Sequence, residues 1–238
     1  MARRRWIADR HENGRAWLVG ENARHLSQSL RAEPGQQYEV AVPAGVYLAT
    51  IVSTELDEVE FRLTEQIQSE RSILEIHLLL SVFKFDRMEW AIEKAVELGC
   101  EDITPVIASR TDKHLAAAAT KRVERWRKIA REAAQQSRQS GVPNISPPVP
   151  LKEAVQQARG ARIVLNERER VTRLVDLVRS PQPTITLAVG PEGGWTDGEL
   201  GYFQQAGWTA ASLGCFILRA ETATIAALVT AQASLPQN

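Results

Sequence analysis

Two stretches of this 238-residue chain bring together residue types that could do chemistry. The first, GPEGGWTDGEL at 190–200, sets Glu192 among Gly190, Pro191, Gly193 and Gly194. It follows the apolar, β-branched PTITLAV of 183–189 and runs into Thr196 and Glu199, a T-x-x-E capping-box pattern that marks a helix start. The second, SLGCFILRAETATIAALV at 212–229, repeats the order of short strand, glycine and helix start, with Arg219 and Glu221 at the junction. Glycines between a strand and a helix allow backbone to approach a ligand, and in open α/β sheets ligands bind at the carboxyl ends of strands. Neither stretch is a phosphate loop. There is no G-x-x-x-x-G-K-[ST], and G-x-x-G-G is not the G-x-G-x-x-G of dinucleotide sites. Glu192 would repel a phosphate, and the capping box already uses N–H groups that would hold one. An uncharged or cationic ligand suits the loop better, and an adenosyl group joined to a sulfonium fits, with the adenine edge read by backbone groups. The plainer alternatives are a tight turn without a ligand and a local Arg219–Glu221 ion pair capping its helix.

Other catalytic chemistry finds little support. His11, His25, His77 and His114 are scattered without metal-ligand spacing, so no metal site is expected. There is no G-x-S-x-G and no plausible Cys/His pair. His77 lies in an apolar strand and reads as a satisfied core histidine. Cys100 and Cys215, the only cysteines, lack C-x-x-C spacing and read as small buried hydrophobes in a reducing compartment. The charged N-terminal MARRRWIADRHENG lacks a signal-peptide core, and no apolar run reaches the roughly 18 residues of a membrane span, so a cytoplasmic protein is expected.

The formal net charge is zero, but its distribution is uneven. Residues 1–31 hold seven arginines against three acids, residues 32–70 eight acids against Arg62, and residues 110–131 eight basic side chains against two acids. A local basic patch, rather than the total, is the footprint of a polyanion partner; solvated helix faces are the competing explanation.

The elements that must position the two loops fall into two groups. Residues 1–70 read as short strands punctuated by Gly14, Gly20, Gly35 and Gly45, with little helix, and suggest a small β-barrel domain. EQIQSERS at 65–72 is the expected boundary. From 73 to 238 strands and helices alternate, which predicts a mostly parallel sheet covered on both faces. ILEIHLLLSV (73–82) reads as a strand. DRMEWAIEKAVELG (86–99) reads as a helix, with an Asp86/Glu89 capping box, an inner face of Met88, Ile92, Ala95 and Val96, and a stop at Gly99. A strand follows at DITPVIA, then a helix over 120–138 with Val123, Trp126, Ile129, Ala130 and Ala133 inside. GVPNISPPVP (141–150) reads as a Pro-rich loop. ARIVLNE is a strand, VTRLVDLV a short helix, TITLAVG a strand, and a helix from 196, a strand at 210–213 and a helix over 221–234 complete the chain.

KFDRMEWAIEKAVELG, the Ser109-Arg110 pair, RWRKIAREAAQQS, GPEGGW with Glu199, and SLG followed by ILRAETA resemble the RsmE family, the small-subunit ribosomal RNA methyltransferases that modify uridine at N3. The similarity covers most of 84–229, and HLSQSLR (25–31) with EPGQ resembles the family's N-terminal barrel. Phe85 stands where the family's pattern has glycine. The resemblance implies an α/β fold of SPOUT type, a knotted parallel sheet flanked by helices and preceded by a small PUA-like β-barrel domain over 1–70. It implies S-adenosylmethionine as cofactor, 16S ribosomal RNA as substrate and a homodimer. The cofactor is then expected against Leu187, Val189, Gly190, Pro191, Glu192 and Gly193, and against Leu213, Gly214, Ile217 and Leu218. Arg219 is the expected cation for a uridine anion, and Glu221 the base or the group that orients Arg219. Arg3, Arg4, Arg5, His25, Arg31, Lys84, Arg110 and Arg138 are the expected RNA contacts. Another RNA target, a non-catalytic ribosome-assembly module and a dinucleotide enzyme are the alternatives; both cofactor loops are present, and the dinucleotide fingerprint is missing.

Overall fold

The structure, a computed structural model, describes residues 4–68, 74–179 and 182–233. Two compact units emerge: Met1–Arg71 with Arg131–Val142, and Ser72–Ala130 with Pro143–Asn238.

The first unit is a six-stranded mixed sheet. Its strands are β1 (Trp6–Ile7), β2 (Arg10–Glu12), β3 (Arg15–Val19), β4 (Gln37–Val42), β5 (Gly45–Thr54) and β6 (Glu58–Ile67), in the order β1-β4-β5-β6-β3-β2. Only β1 and β4 pair in parallel; the others run antiparallel. Period-2 alternation turns Leu18, Val40, Ile51, Val59 and Phe61 into a core with Trp6 and Leu26. The helical turns from 21 to 29, starting with α1 (Glu21–Arg24), have only Ala23 and Leu26 buried, a stripe too short to announce a helix in the sequence.

The second unit is a seven-stranded parallel sheet. In chain order it comprises β7 (Glu75–Ser81), α2 (Phe85–Glu97), β8 (Cys100–Ile107), α3 (Lys113–Ala119), α4 (Val123–Gln136, whose last turns belong to the first unit), β9 (Asn144–Ile145), β10 (Val149–Pro150), α5 (Leu151–Gln157), β11 (Ala161–Leu165), α6 (Leu174–Leu177), β12 (Thr184–Val189), α7 (Asp197–Gln205), β13 (Thr209–Ala211) and α8 (Ala220–Ala233). The strand order is β10-β8-β7-β12-β11-β13, with β9 beside β8. Every ladder among these strands is parallel. β7 and β12 lie in the interior of the sheet, which explains their continuous apolar runs. α2 and α8 pack together, and Trp195, Phe203 and Trp208 join Leu79, Val106, Leu151 and Val155 in another cluster.

Several local expectations are corrected. The stretch 141–150 carries β9 and β10, and α3 and α5 are additional helices. α3 is short but capped, because Asp112 accepts from the His114 and Leu115 N–H groups. The Asp86/Glu89 capping box does not form: α2 starts at Phe85 after Lys84, and Glu89 instead pairs with Arg125 at 2.7 Å. Phe85 packs edge-on against Trp126, with the Arg122 guanidinium over its ring. His77 is not a satisfied core histidine, since its buried Nε2 has no hydrogen-bond partner and its Nδ1 lies 4.0 Å from Asp102. Cys100 is buried, but Cys215 is exposed.

β13 lies at the sheet edge beyond β11, whereas α8 packs on α2 and β12. The chain must therefore cross back past β11 between residues 212 and 219. It is gripped at the start of that crossing. The Ser212 N–H donates to the Thr172 carbonyl, and the Leu174 N–H donates to the Ser212 carbonyl, both at 2.9 Å.

Candidate active site

β12, β11 and β13 are consecutive neighbours in a parallel sheet, so their three following loops emerge at one edge. These loops enclose a cavity of ≈ 400 Å³. The β12–α7 loop supplies Gly190 to Trp195, with Val189 at the strand end. The β13–α8 loop supplies Ser212, Leu213, Gly214 and the run Phe216–Arg219. Leu165, Asn166 and Glu167 come from the end of β11, and Arg87 comes from α2.

The β12–α7 loop is fixed from behind. Its turn closes when the Gly194 N–H donates to the Pro191 carbonyl at 2.8 Å. Gly194 has φ 67°, so a side chain there would be strained, and its Cβ, 2.6 Å from Glu167 Oε1, would push that carboxylate aside. The Trp195 indole, 1% exposed, donates to the Leu165 carbonyl at 3.0 Å and packs edge-on against Phe203. Next comes the capping box: Glu199 Oε2 accepts from the Thr196 N–H and hydroxyl, each at 2.8 Å, while Thr196 Oγ1 accepts from the Glu199 N–H. The other carboxylate oxygen accepts from the Ser109 N–H at 2.7 Å. Burial alone would raise the Glu199 pKa, but the Ser109 and Thr196 hydrogen bonds overcome it and hold the carboxyl below its ordinary value. Arg110 completes the brace, Nη1 donating to the Gly193 carbonyl at 2.7 Å and to the Trp195 carbonyl at 3.2 Å.

Val189, Gly190, Pro191, Glu192 and Gly193 all line the cavity, as do Leu213, Gly214, Ile217, Leu218 and Arg219. Leu187 does not: it is fully buried inside β12. Glu221 is also absent from the lining. It is 7% exposed at the start of α8, and its Oε1 lies 3.9 Å from Arg87 Nε rather than against Arg219. Arg219 is exposed and its side chain has no ion-pair or hydrogen-bond partner among the described residues, so no Arg219–Glu221 pair caps the helix. Glu192 is answered by Arg87, whose Nη1 stands 2.9 Å from Glu192 Oε1. The ionised lining is thus Arg87 and Arg219 against Glu167 and Glu192, a balanced set hostile to a polyphosphate. Sequence reading missed Arg87 and Asn166-Glu167. The NE after β11 could have been found from the rule that parallel strands present their carboxyl ends at one edge; nothing local marks Arg87.

The residues expected at RNA divide by their partners. Arg5 is only 6% exposed and pairs with Glu39 at 3.0 Å, which corrects the expectation for it; Arg138 also pairs with Glu39 but stays exposed. Arg110 has its guanidinium committed to the loop carbonyls described above. Arg4 lies over the Trp6 ring, and the exposed His25 ring is 5.9 Å from that ring. Arg31 and Lys84 are exposed without an ion pair among the described residues. Arg3 lies outside the described residues.

Comparison with known proteins decides the family. The model of the RNA methyltransferase domain matches residues 69–232. A relative from Synechocystis sp., named ribosomal RNA small subunit methyltransferase E, is 31% identical over 227 residues, covering 92% of this chain and 73% of that protein. The chain belongs to the ribosomal RNA small subunit methyltransferase E family. A second member, from Mesomycoplasma hyopneumoniae, is 34% identical over 148 residues, covering 62% of this chain and 65% of its own length. The crystal structure of the methyltransferase E of Neisseria gonorrhoeae, bound to S-adenosylmethionine, superimposes with a TM-score of 0.87 at 31% identity and covers 98% of both chains. The fold is therefore that of the family along the whole described chain, a β-rich N-terminal unit followed by a parallel α/β sheet of SPOUT type.

Proposed function

We propose that this chain transfers the methyl group of S-adenosylmethionine to N3 of a uridine in 16S ribosomal RNA. The observation that carries the reading is a cavity walled by both the β12–α7 and the β13–α8 loops, the two stretches that also carry the family's motifs. Its ≈ 400 Å³ falls in the range of small-molecule sites, about 300–1,000 Å³. The residues fit the cofactor. Val189, Leu213, Ile217 and Leu218 offer apolar surface, loop backbone offers hydrogen bonds, and the carboxylates of Glu192 and Glu167 suit a cationic sulfonium. When bound, S-adenosylmethionine supplies an electrophilic methyl group, so the protein's part is to position, to exclude water and to manage one proton. Uridine N3 must lose its proton, and Arg219, at the cavity wall with its side chain unpaired, holds the negative charge that develops on O2 or O4. Glu221 points its carboxylate toward Arg87 and not toward Arg219, which favours a role in orienting Arg87 over that of a base.

The first unit serves as a PUA-like RNA-binding domain over 1–70, with Arg4, His25 and Arg31 as its contacts, and Lys84 as a contact from the second unit. The SPOUT domain over 73–238 ends in a trefoil knot; the backbone grip on Ser212 by Thr172 and Leu174 supports such a crossing. Phe216 and Ile217, 82% and 80% exposed at the cavity wall, support completion of the site by RNA or by the second chain of a homodimer. No helix among the described residues is long and apolar enough to cross a membrane, which fits an enzyme acting on ribosomal RNA in the cytoplasm. Mass spectrometry of 16S ribosomal RNA from cells with and without the protein tests the reading. Loss of one N3-methyluridine is expected; an unchanged nucleoside profile overturns it.

A further inference from the structure

One arginine outside both loops joins the first of them to the helix that follows the second. Arg87, on the first turn of α2, donates from Nη1 to Glu192 of the β12–α7 loop at 2.9 Å and places Nε 3.9 Å from Glu221 at the start of α8. Glu221 is 7% exposed, and its Oε2 is a buried oxygen without a hydrogen-bond partner. A buried carboxylate left this way is costly unless a cation stands nearby, and Arg87 is that cation. One guanidinium therefore serves two carboxylates, Glu192 at the cavity wall and Glu221 behind it.

We propose that Arg87 is a positioning residue that ties the two loops together and sets how strongly the cavity distinguishes the charged cofactor from its neutral product. The proposal rests on the S-adenosylmethionine reading above. Methyl transfer turns a sulfonium cation into a neutral thioether, S-adenosylhomocysteine. Contacts to the adenosyl and amino-acid parts bind both forms alike, whereas the electrostatic field of the wall acts on the sulfonium charge alone. Without the Arg87 charge the wall is more negative and favours the cation; without the Glu192 charge it is less negative and favours the neutral product. The two losses must move the ratio of affinities in opposite directions. A purely structural role would weaken both ligands together.

Isothermal titration of the full-length protein with S-adenosylmethionine and S-adenosylhomocysteine, on the wild type, Arg87→Gln and Glu192→Gln, tests this. A unit charge ~8 Å away, at an effective dielectric of ~20 to ~80, changes binding by about 2- to 30-fold. The ratio of S-adenosylmethionine to S-adenosylhomocysteine affinity is expected to rise at least about twofold in Arg87→Gln and to fall by a similar factor in Glu192→Gln. Arg87→Lys should return it toward the wild type, and added salt should shrink both shifts. Glu192 is 41% exposed, so if Arg87→Gln fails to fold, Glu192→Gln still tests the wall charge, and a ratio that does not fall there overturns the proposal. Ratios that stay put, or that move in the same direction in both variants, overturn the role of Arg87 and leave the cofactor reading intact. A wild type that binds neither ligand overturns both.

Discussion

Glu199 is the most consequential side chain that touches no ligand. Its two carboxylate oxygens accept the Ser109 N–H at 2.7 Å and the Thr196 N–H and hydroxyl at 2.8 Å, and the residue is 7% exposed. Glu199→Ala removes the acceptor from the part-buried Ser109 and Thr196 N–H groups and also breaks the capping box. Hydrogen bonds to a charged group contribute ~1.5–3 kcal/mol each, so a loss of about 3–5 kcal/mol is expected. Glu199→Gln keeps one carbonyl oxygen but turns an NH₂ donor toward a backbone donor, and should cost about half as much. Urea unfolding at neutral pH measures both. The pH dependence is a second readout. The folded carboxyl titrates below its ordinary value of 4.5, so its contribution is complete above that value and is lost as pH falls through the folded pKa. The stability gap between wild type and Glu199→Ala should therefore be flat at neutral pH and close on acidification below pH 4.5. Because Glu199 and Arg110 together brace the 190–196 loop, S-adenosylhomocysteine affinity should fall as well. A loss under about 1 kcal/mol, or a gap that widens in acid, would refute the reasoning.

Arg219→Ala should lower the single-turnover methylation rate about 100- to 1,000-fold, the size expected for one lost donor to a developing anion, while S-adenosylhomocysteine affinity by calorimetry stays within about twofold. Gly160→Ala should destabilise the second unit by more than about 2 kcal/mol in thermal unfolding, since Gly160 has φ 63° and a Cβ would stand 2.1 Å from the Thr184 backbone oxygen. Burial pushes the Cys100 thiol up to about 12, whereas Cys215 is exposed. A thiol reagent should therefore label one cysteine in the native protein and two after denaturation. RNA affinity should fall with added salt through counterion release, with a shallower slope in Arg31→Ala; a flat salt dependence removes the electrostatic contacts from the reading.

Local chemistry made much of this protein legible before its structure. The T-x-x-E at Thr196 and Glu199 is a capping box, because both partners lie within one helical turn. The runs of β7 and β12 read correctly because a parallel strand buried on both faces must be apolar throughout. The α2 face of Met88, Ile92, Ala95 and Val96 is buried as its 3.6-residue period requires. α3 and α5 were invisible, since at seven residues each they span barely two turns and show too little period. At the site, glycines and strand ends marked the two main loops because backbone conformation is a local property. The partners of charged groups are not. Arg110 and Arg5 look alike as cations in sequence, yet one is bound to loop carbonyls and the other is buried on Glu39. Glu192 meets an arginine 105 residues away, and Glu221 turns to that same arginine instead of to Arg219 two positions before it. The sequence by itself determined the long, strongly patterned elements, the glycine-bearing loops and the family. Only the tertiary structure decided which charges meet, because a charge is satisfied by whatever the fold brings within a few ångströms of it.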